Sequence, residues 1–256
     1  MSDLIPVLLY HSVADEPPGD RHFAVSRATF EAHADAIRES GRATLTISEL
    51  AAGLRGERGL PQRAAAVTFD DGSADNYEAC HWLLERGLRA TAYLITGEVG
   101  ARDRVTPGEA VELADLPYVE VGAHAVHHRH LDELDKGELR NEIETSKREL
   151  EDLIGAPVES FAYPHGAYDT RVRQSVIDAG YSSAVAVKNA VSHRFDDPFA
   201  IARWTVTWGT PASRIAEVLE GVHVPRAWSR ERVRTRAYRT VRRGRRRLAR
   251  TLGAPT

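Results

Sequence analysis

Ala66-Val67-Thr68-Phe69-Asp70-Asp71-Gly72 decides the reading of this chain. A short apolar run of β type stops at two adjacent carboxylates and a glycine. In α/β proteins, binding and catalytic groups gather at the C-terminal ends of strands. Two successive side chains at a strand end need not point the same way, so Asp70 and Asp71 can take separate tasks. Gly72 permits a sharp turn, because it tolerates backbone angles other residues avoid. Asp-Asp-Gly is also ordinary turn composition, so the rest of the chain must choose between a turn and a site.

Outward from that stretch, strand and helix patterns alternate. Val7–Tyr10 reads as a strand ending at His11. Ser26 caps a helix carrying Phe30, Ala34 and Ile37 on one face. A short helix follows over Thr46–Leu54, with Ser48 as its expected cap. After the Ala65–Phe69 strand come a helix near 74–86, a strand at Ala90–Ile95 and a helix at 106–114. Tyr118–Val121 is a strand that delivers Gly122-Ala123-His124. Gly137–Ile154 is the clearest helix, with Leu139, Ile143, Leu150 and Ile154 on one face and Gly155 at its end. Val158–Ala162, Ser183–Val187 and Ile201–Thr207 read as strands. A helix over 171–179 stops at Gly180, and Ser213 caps a last helix through Leu219. Such alternation predicts an α/β fold, a parallel sheet wrapped by helices, as a barrel or a doubly wound sheet.

The 256 residues, 42% hydrophobic, suffice for one large domain with a full core. Cys80 is the sole cysteine, which excludes an intrachain disulfide and fits a reducing compartment. The N-terminus lacks a basic start and a cleavage site, and Val7–Tyr10 is too short for a signal or span, so the expectation is a cytoplasmic protein. The net charge of −3 hides an asymmetry: residues 226–250 hold twelve arginines against Glu231, and the remainder carries 22 basic and 36 acidic residues. We therefore divide the chain into a domain over 1–225 and a basic, amphipathic tail over 226–256. The tail suits the anionic inner face of a membrane, with packing on the acidic body as the alternative. Nothing else in the chain looks like a nucleic-acid reader.

Four of eleven histidines lie at 124, 127, 128 and 130. In a helical turn, the i, i+4 pair His124 and His128 would share one face and one metal. With an aspartate they make a three-ligand set with open positions. Two His and one carboxylate also form the facial triad of non-haem iron oxygenases, but those place the carboxylate two residues after the first His, where this chain has Val126.

Here the chain resembles the polysaccharide deacetylase family (carbohydrate esterase family 4, the NodB homology domain). Thr68-Phe69-Asp70-Asp71-Gly72 matches its TFDDG motif. His124-Ala125-Val126-His127-His128 matches H-[ST]-x-x-H, with Ala125 at the Ser/Thr position. Phe161-Ala162-Tyr163-Pro164-His165-Gly166 resembles the R-x-P-x-G motif, with Ala162 in place of Arg. The resemblance spans about residues 5–220. It implies a distorted (β/α) barrel and metal-dependent removal of acetyl groups from N-acetylated sugars. It further implies Asp70 as base, Asp71, His124 and His128 as metal ligands, and the His165 backbone N–H on the oxyanion. The family's C-terminal L-x-H, which carries the general acid, has only Gly221-Val222-His223 as a poor match. Leu9-Tyr10-His11 fits it at the first strand, as in circularly permuted members similar to bacterial exopolysaccharide N-deacetylases, so His11 is the expected acid.

Arg203 is the candidate to replace the arginine missing at Ala162, with a surface ion pair as its alternative. Tyr163, Pro164, Tyr168, Trp204 and Trp208 are candidates for the sugar-binding surface, with core packing as the competing role for a tryptophan. Zinc is the first expectation for the metal, with cobalt, nickel and manganese also compatible. An O-acetyl esterase, a small-amide hydrolase and a non-catalytic sugar-binding module are the alternative functions on the same fold.

Overall fold

The computed structural model describes residues 3–16 and 21–228. Seven strands form its centre: β1 (Val7–Tyr10), β2 (Ala64–Phe69), β3 (Ala90–Leu94), β4 (Val119–Ala123), β5 (Ser160–Ala162), β6 (Ser183–Val187) and β7 (Ile201–Thr205). Each pairs in parallel with its neighbour in chain order, and β7 pairs back onto β1. The sheet is therefore a closed barrel rather than a doubly wound sheet, as the resemblance implied. The seam between β4 and β5 is a single pair, Ala123 with Phe161, against five pairs between β3 and β4. That thin seam makes the barrel irregular.

Among the described residues, seven α-helices accompany the strands: α1 (Arg27–Glu39), α2 (Ile47–Leu54), α3 (Asp75–Glu85), α4 (Pro107–Asp115), α5 (Lys136–Ile154), α6 (Thr170–Asp178) and α7 (Ala212–Leu219). The strand alternation sorts side chains into two layers. Val67, Phe69, Phe161 and Tyr163 point outward into the layer shared with the helices. Ile5, Val7, Ala64, Ala66, Tyr93, Ala162, Val185 and Ile201 fill the interior with Leu45, Ile47, Leu50 and Ala51, so the α2 region packs against the barrel interior. The small alanines leave room for Tyr93, whose hydroxyl meets Ser160 Oγ at 2.5 Å. A Cβ on Gly122 would lie 2.5 Å from the Tyr93 ring, so β4 needs glycine there.

The helix ends are set locally, with two departures from expectation. Thr46, not Ser48, caps α2, in a reciprocal box with Glu49. Pro211, not Ser213, precedes α7, and its side chain makes no cap hydrogen bond. Asp135 and Glu138 form the same kind of box at α5, which ends at Gly155 in the left-handed conformation. β5 begins at Ser160 and β7 ends at Thr205, shorter than their apolar runs suggest.

Among the described residues, no helix is long and apolar enough to cross a membrane. Most of the arginine-rich tail lies outside the described residues. Its first part packs on the domain: Arg226 bridges Val191, and Ala227 is buried against Ala190 and Ala202.

Candidate active site

The inward alternation of four strands brings His11, Asp70, His124 and Arg203 together at the C-terminal end of the barrel. Asp70 follows β2 and is 2% exposed; Arg203, on β7, is fully buried. The pair is bidentate: Arg203 Nη1 donates to Asp70 Oδ1 at 2.6 Å and Nη2 to Oδ2 at 2.7 Å. Nη1 also reaches Thr68 Oγ1 at 3.3 Å, and the guanidinium lies over the Tyr93 ring at 5.6 Å. Arg203 is thus an interior ion pair, not a surface one. Burial opposes ionisation of Asp70, but the Arg203 charge beside it, with His124, holds its carboxyl below the usual range.

Asp71 departs in another direction because its backbone is left-handed, φ 73°. Its Oδ1 lies 3.5 Å from His124 Nε2 and 3.4 Å from His128 Nε2. That oxygen is buried and has no hydrogen-bond partner. The three ligand atoms of Asp71, His124 and His128 all lie within 4.8 Å of one another. His124 Nδ1 donates to the Ala162 carbonyl at 2.8 Å, which leaves Nε2 turned to Asp71. Burial works against an imidazolium at His124, yet Asp70 and Asp71 together raise its pKa. At His128, burial first and the neighbouring His124 next push the value down to about 4. One carboxylate oxygen without a hydrogen-bond partner and two imidazole nitrogens fit a divalent cation.

The His124–His128 segment is not the helical turn its spacing suggested. It is an irregular loop with left-handed residues at Ala125 (φ 62°) and His128 (φ 53°). Glu142 of α5 holds this loop and was not anticipated. It is 2% exposed. Its Oε2 accepts the N–H of Val126 at 3.0 Å and of His127 at 2.9 Å, and its Oε1 meets His127 Nδ1 at 2.9 Å. A readable signal existed: 142 falls between Leu139 and Ile143 on the apolar face of α5, where a carboxylate needs a reason.

His11 faces the same centre. Burial lowers its pKa, against the pull of Asp70 and Asp71. Its carbonyl accepts from the fully buried Asn76 of α3 at 2.7 Å, which ties β1 to the turn after Asp71. His223, the weak alternative, is on the surface beyond α7, its side chain 81% exposed. His165 sits left-handed, φ 56°, in the turn over Pro164–Gly166. Its ring lies 4.2 Å from that of His128 and stacks on His130 at 4.0 Å.

The expected sugar-binding residues divide. Tyr163 points outward and is buried; its hydroxyl donates to the Phe199 carbonyl at 2.9 Å, and its ring stacks on Tyr168 at 4.6 Å. Pro164 is buried in the turn. Trp204 follows the inward Arg203, so strand alternation sends it outward, against the core layer and under Arg214 at 5.7 Å. Tyr163 is therefore a packing residue, a correction to the expectation for it, while Trp204 packs on the outer layer and stays partly exposed. Trp208, by contrast, is 41% exposed.

A family model described as polysaccharide deacetylase matches residues 57–184. The Bacillus subtilis (strain 168) protein YxkH, which its name places among polysaccharide deacetylases, is 25% identical over 219 residues, 85% of this chain and 77% of that protein. Streptococcus pyogenes deacetylase PplD, solved in complex with acetate, superposes with a TM-score of 0.77 at 20% identity over 84% of this chain and 98% of that one. IcaB from Ammonifex degensii gives a TM-score of 0.72 at 23% identity over 86% and 98%.

Proposed function

The chain belongs to the polysaccharide deacetylase family, and within it we propose a metal-dependent hydrolase that removes N-acetyl groups from a saccharide and releases acetate. One observation carries this reading: the buried, unpartnered Asp71 Oδ1 faces two imidazole nitrogens beside an ionised Asp70. Asp71, His124 and His128 would hold the cation, and zinc suits this mixed N/O set. When bound, it supplies Lewis acidity, acidifying water and polarising the acetyl carbonyl.

The chain's own groups do the rest. Asp70, kept ionised by Arg203, takes the proton of the attacking water at a carboxylate oxygen. Arg203 is a positioning residue: its fork fixes both Asp70 oxygens and leaves each a second lone pair. The His165 N–H is assigned to the tetrahedral oxyanion. His11 gives a proton to the leaving nitrogen, which would otherwise depart as a strongly basic anion. Burial makes its imidazolium a stronger acid, suited to that transfer.

Acetate release from a panel of N-acetylated oligosaccharides tests the reading. Release from wild type that disappears in both His128→Ala and His11→Ala supports it. Release unaffected by either substitution removes it.

For the arginine-rich tail we propose attachment to anionic lipid, which would suit a lipid-linked saccharide at the cytoplasmic face. Vesicle flotation of the full chain and of a chain ending at residue 228 checks this. Equal binding of the two would sink it.

A further inference from the structure

Beside His11 lies a rim that the deacetylation chemistry leaves unused. The turn Arg21–Phe23 puts the Phe23 ring 4.9 Å from the His11 ring. Trp208 is tied to the same turn, its N–H donating to the His22 carbonyl at 2.8 Å. Both aromatics face water, Phe23 at 37% and Trp208 at 41% exposure. Over Trp208 sits the Arg21 guanidinium, 4.2 Å from the ring centroid.

Arg21 differs from several other exposed arginines of the domain, though Arg148 and Arg171 likewise form no ion pair with a carboxylate among the described residues. Arg27 pairs with Glu31, Arg63 with Glu220 and Arg140 with Glu144. Arg21 pairs with no carboxylate among the described residues; Trp208 is its contact. Stacking uses the flat face of a guanidinium and leaves its edge N–H groups in one plane, open to a carboxylate or phosphate. The platform also holds the cation in place, so less side-chain freedom is lost when an anion arrives.

Resting on the deacetylase reading, we infer that Arg21, Phe23 and Trp208 form a subsite for a saccharide bearing an anionic group next to the sugar that loses its acetyl. The leaving nitrogen must reach His11, so the reacting sugar lies against Phe23. Its neighbour then falls toward Trp208 and Arg21. The anion is a phosphate ester or a uronate carboxylate; either matches the planar donor edge.

The test compares kcat/KM for three probes: a neutral N-acetylglucosamine oligosaccharide, the same oligosaccharide with a terminal phosphate, and one in which glucuronate alternates with N-acetylglucosamine. Wild type should favour at least one anionic probe over the neutral one by about fivefold, less at high salt. Which probe is favoured tells phosphate from carboxylate. Arg21→Gln should abolish the preference, Arg21→Lys should retain part of it, and Trp208→Ala should weaken it by removing the platform. Equal rates on all three probes, or a preference that survives Arg21→Gln, would overturn the subsite. If no probe releases acetate, the same ratio is read from Kd by NMR titration of the full chain. An Arg21-dependent preference there keeps the subsite while the hydrolase reading falls; no preference there removes the subsite.

Discussion

Arg203 and Asp70 are 133 residues apart in sequence and meet through two hydrogen bonds, of 2.6 and 2.7 Å, with neither side chain open to solvent. Breaking one partner of such a buried pair leaves an uncompensated charge and costs about 3–5 kcal/mol. Arg203→Met should therefore lower the urea midpoint markedly. Without the guanidinium, only His124 and His11 oppose the effect of burial on Asp70, and its pKa rises. A base works only when ionised, so the acid limb of the kcat/KM profile should move to higher pH. Arg203→Lys should restore stability better than activity, because an ammonium cannot engage both oxygens. An unmoved acid limb in Arg203→Met would separate Asp70 from base catalysis.

Cation binding should release a proton near neutral pH. His128 is already neutral there, with its pKa pushed down to about 4. His124 is held up by Asp70 and Asp71, and it must lose its proton to become a ligand. Zinc affinity should then rise with pH until His124 is neutral in the free protein. Calorimetry in buffers of different ionisation enthalpy measures the proton count directly. His124→Ala should bind weakly, with a smaller pH dependence.

Glu142→Ala should act on the cation from outside its ligand set. It leaves the N–H groups of Val126 and His127 without their acceptor, at about 1–3 kcal/mol each. Supporting contacts of this kind are worth about tenfold to a hundredfold in metal affinity. Zinc Kd should weaken by that order, while far-UV circular dichroism stays unchanged.

The core outside the site carries its own pH dependence. His33 is buried between the Tyr10 hydroxyl at 3.2 Å and the Thr210 carbonyl at 2.9 Å, and burial lowers its pKa from 6.5. The unfolded chain takes up a proton there before the folded one does. The contribution is complete above about pH 6.5 and is lost as pH falls from that value through the folded pKa. Urea midpoints between pH 8 and pH 5 should fall more steeply for wild type than for His33→Gln.

Local signals carried much of the design. Asp70-Asp71-Gly72 and His124/His128 were legible because each stands at the end of an apolar strand, next to its turn. Other features depend on contacts across the barrel. Arg203 finds Asp70 only when β7 closes onto β1, and Glu142 finds the histidine loop only when α5 packs beneath it. The outward turn of Tyr163 and Trp204 was readable in principle. Each follows an inward residue on its chain, Ala162 or Arg203, and strand alternation then sends it outward. Arg21 and Phe23 carry no motif, and their place beside His11 comes from the backbone tie between His22 and Trp208.

Acetate release by wild type and Asp70→Asn, each stripped of metal and then restored with zinc, tests the central claim most directly. Release is expected from restored wild type alone, with stripped protein and Asp70→Asn lower by at least about a hundredfold. Release that persists in restored Asp70→Asn, or in metal-free wild type, would contradict it.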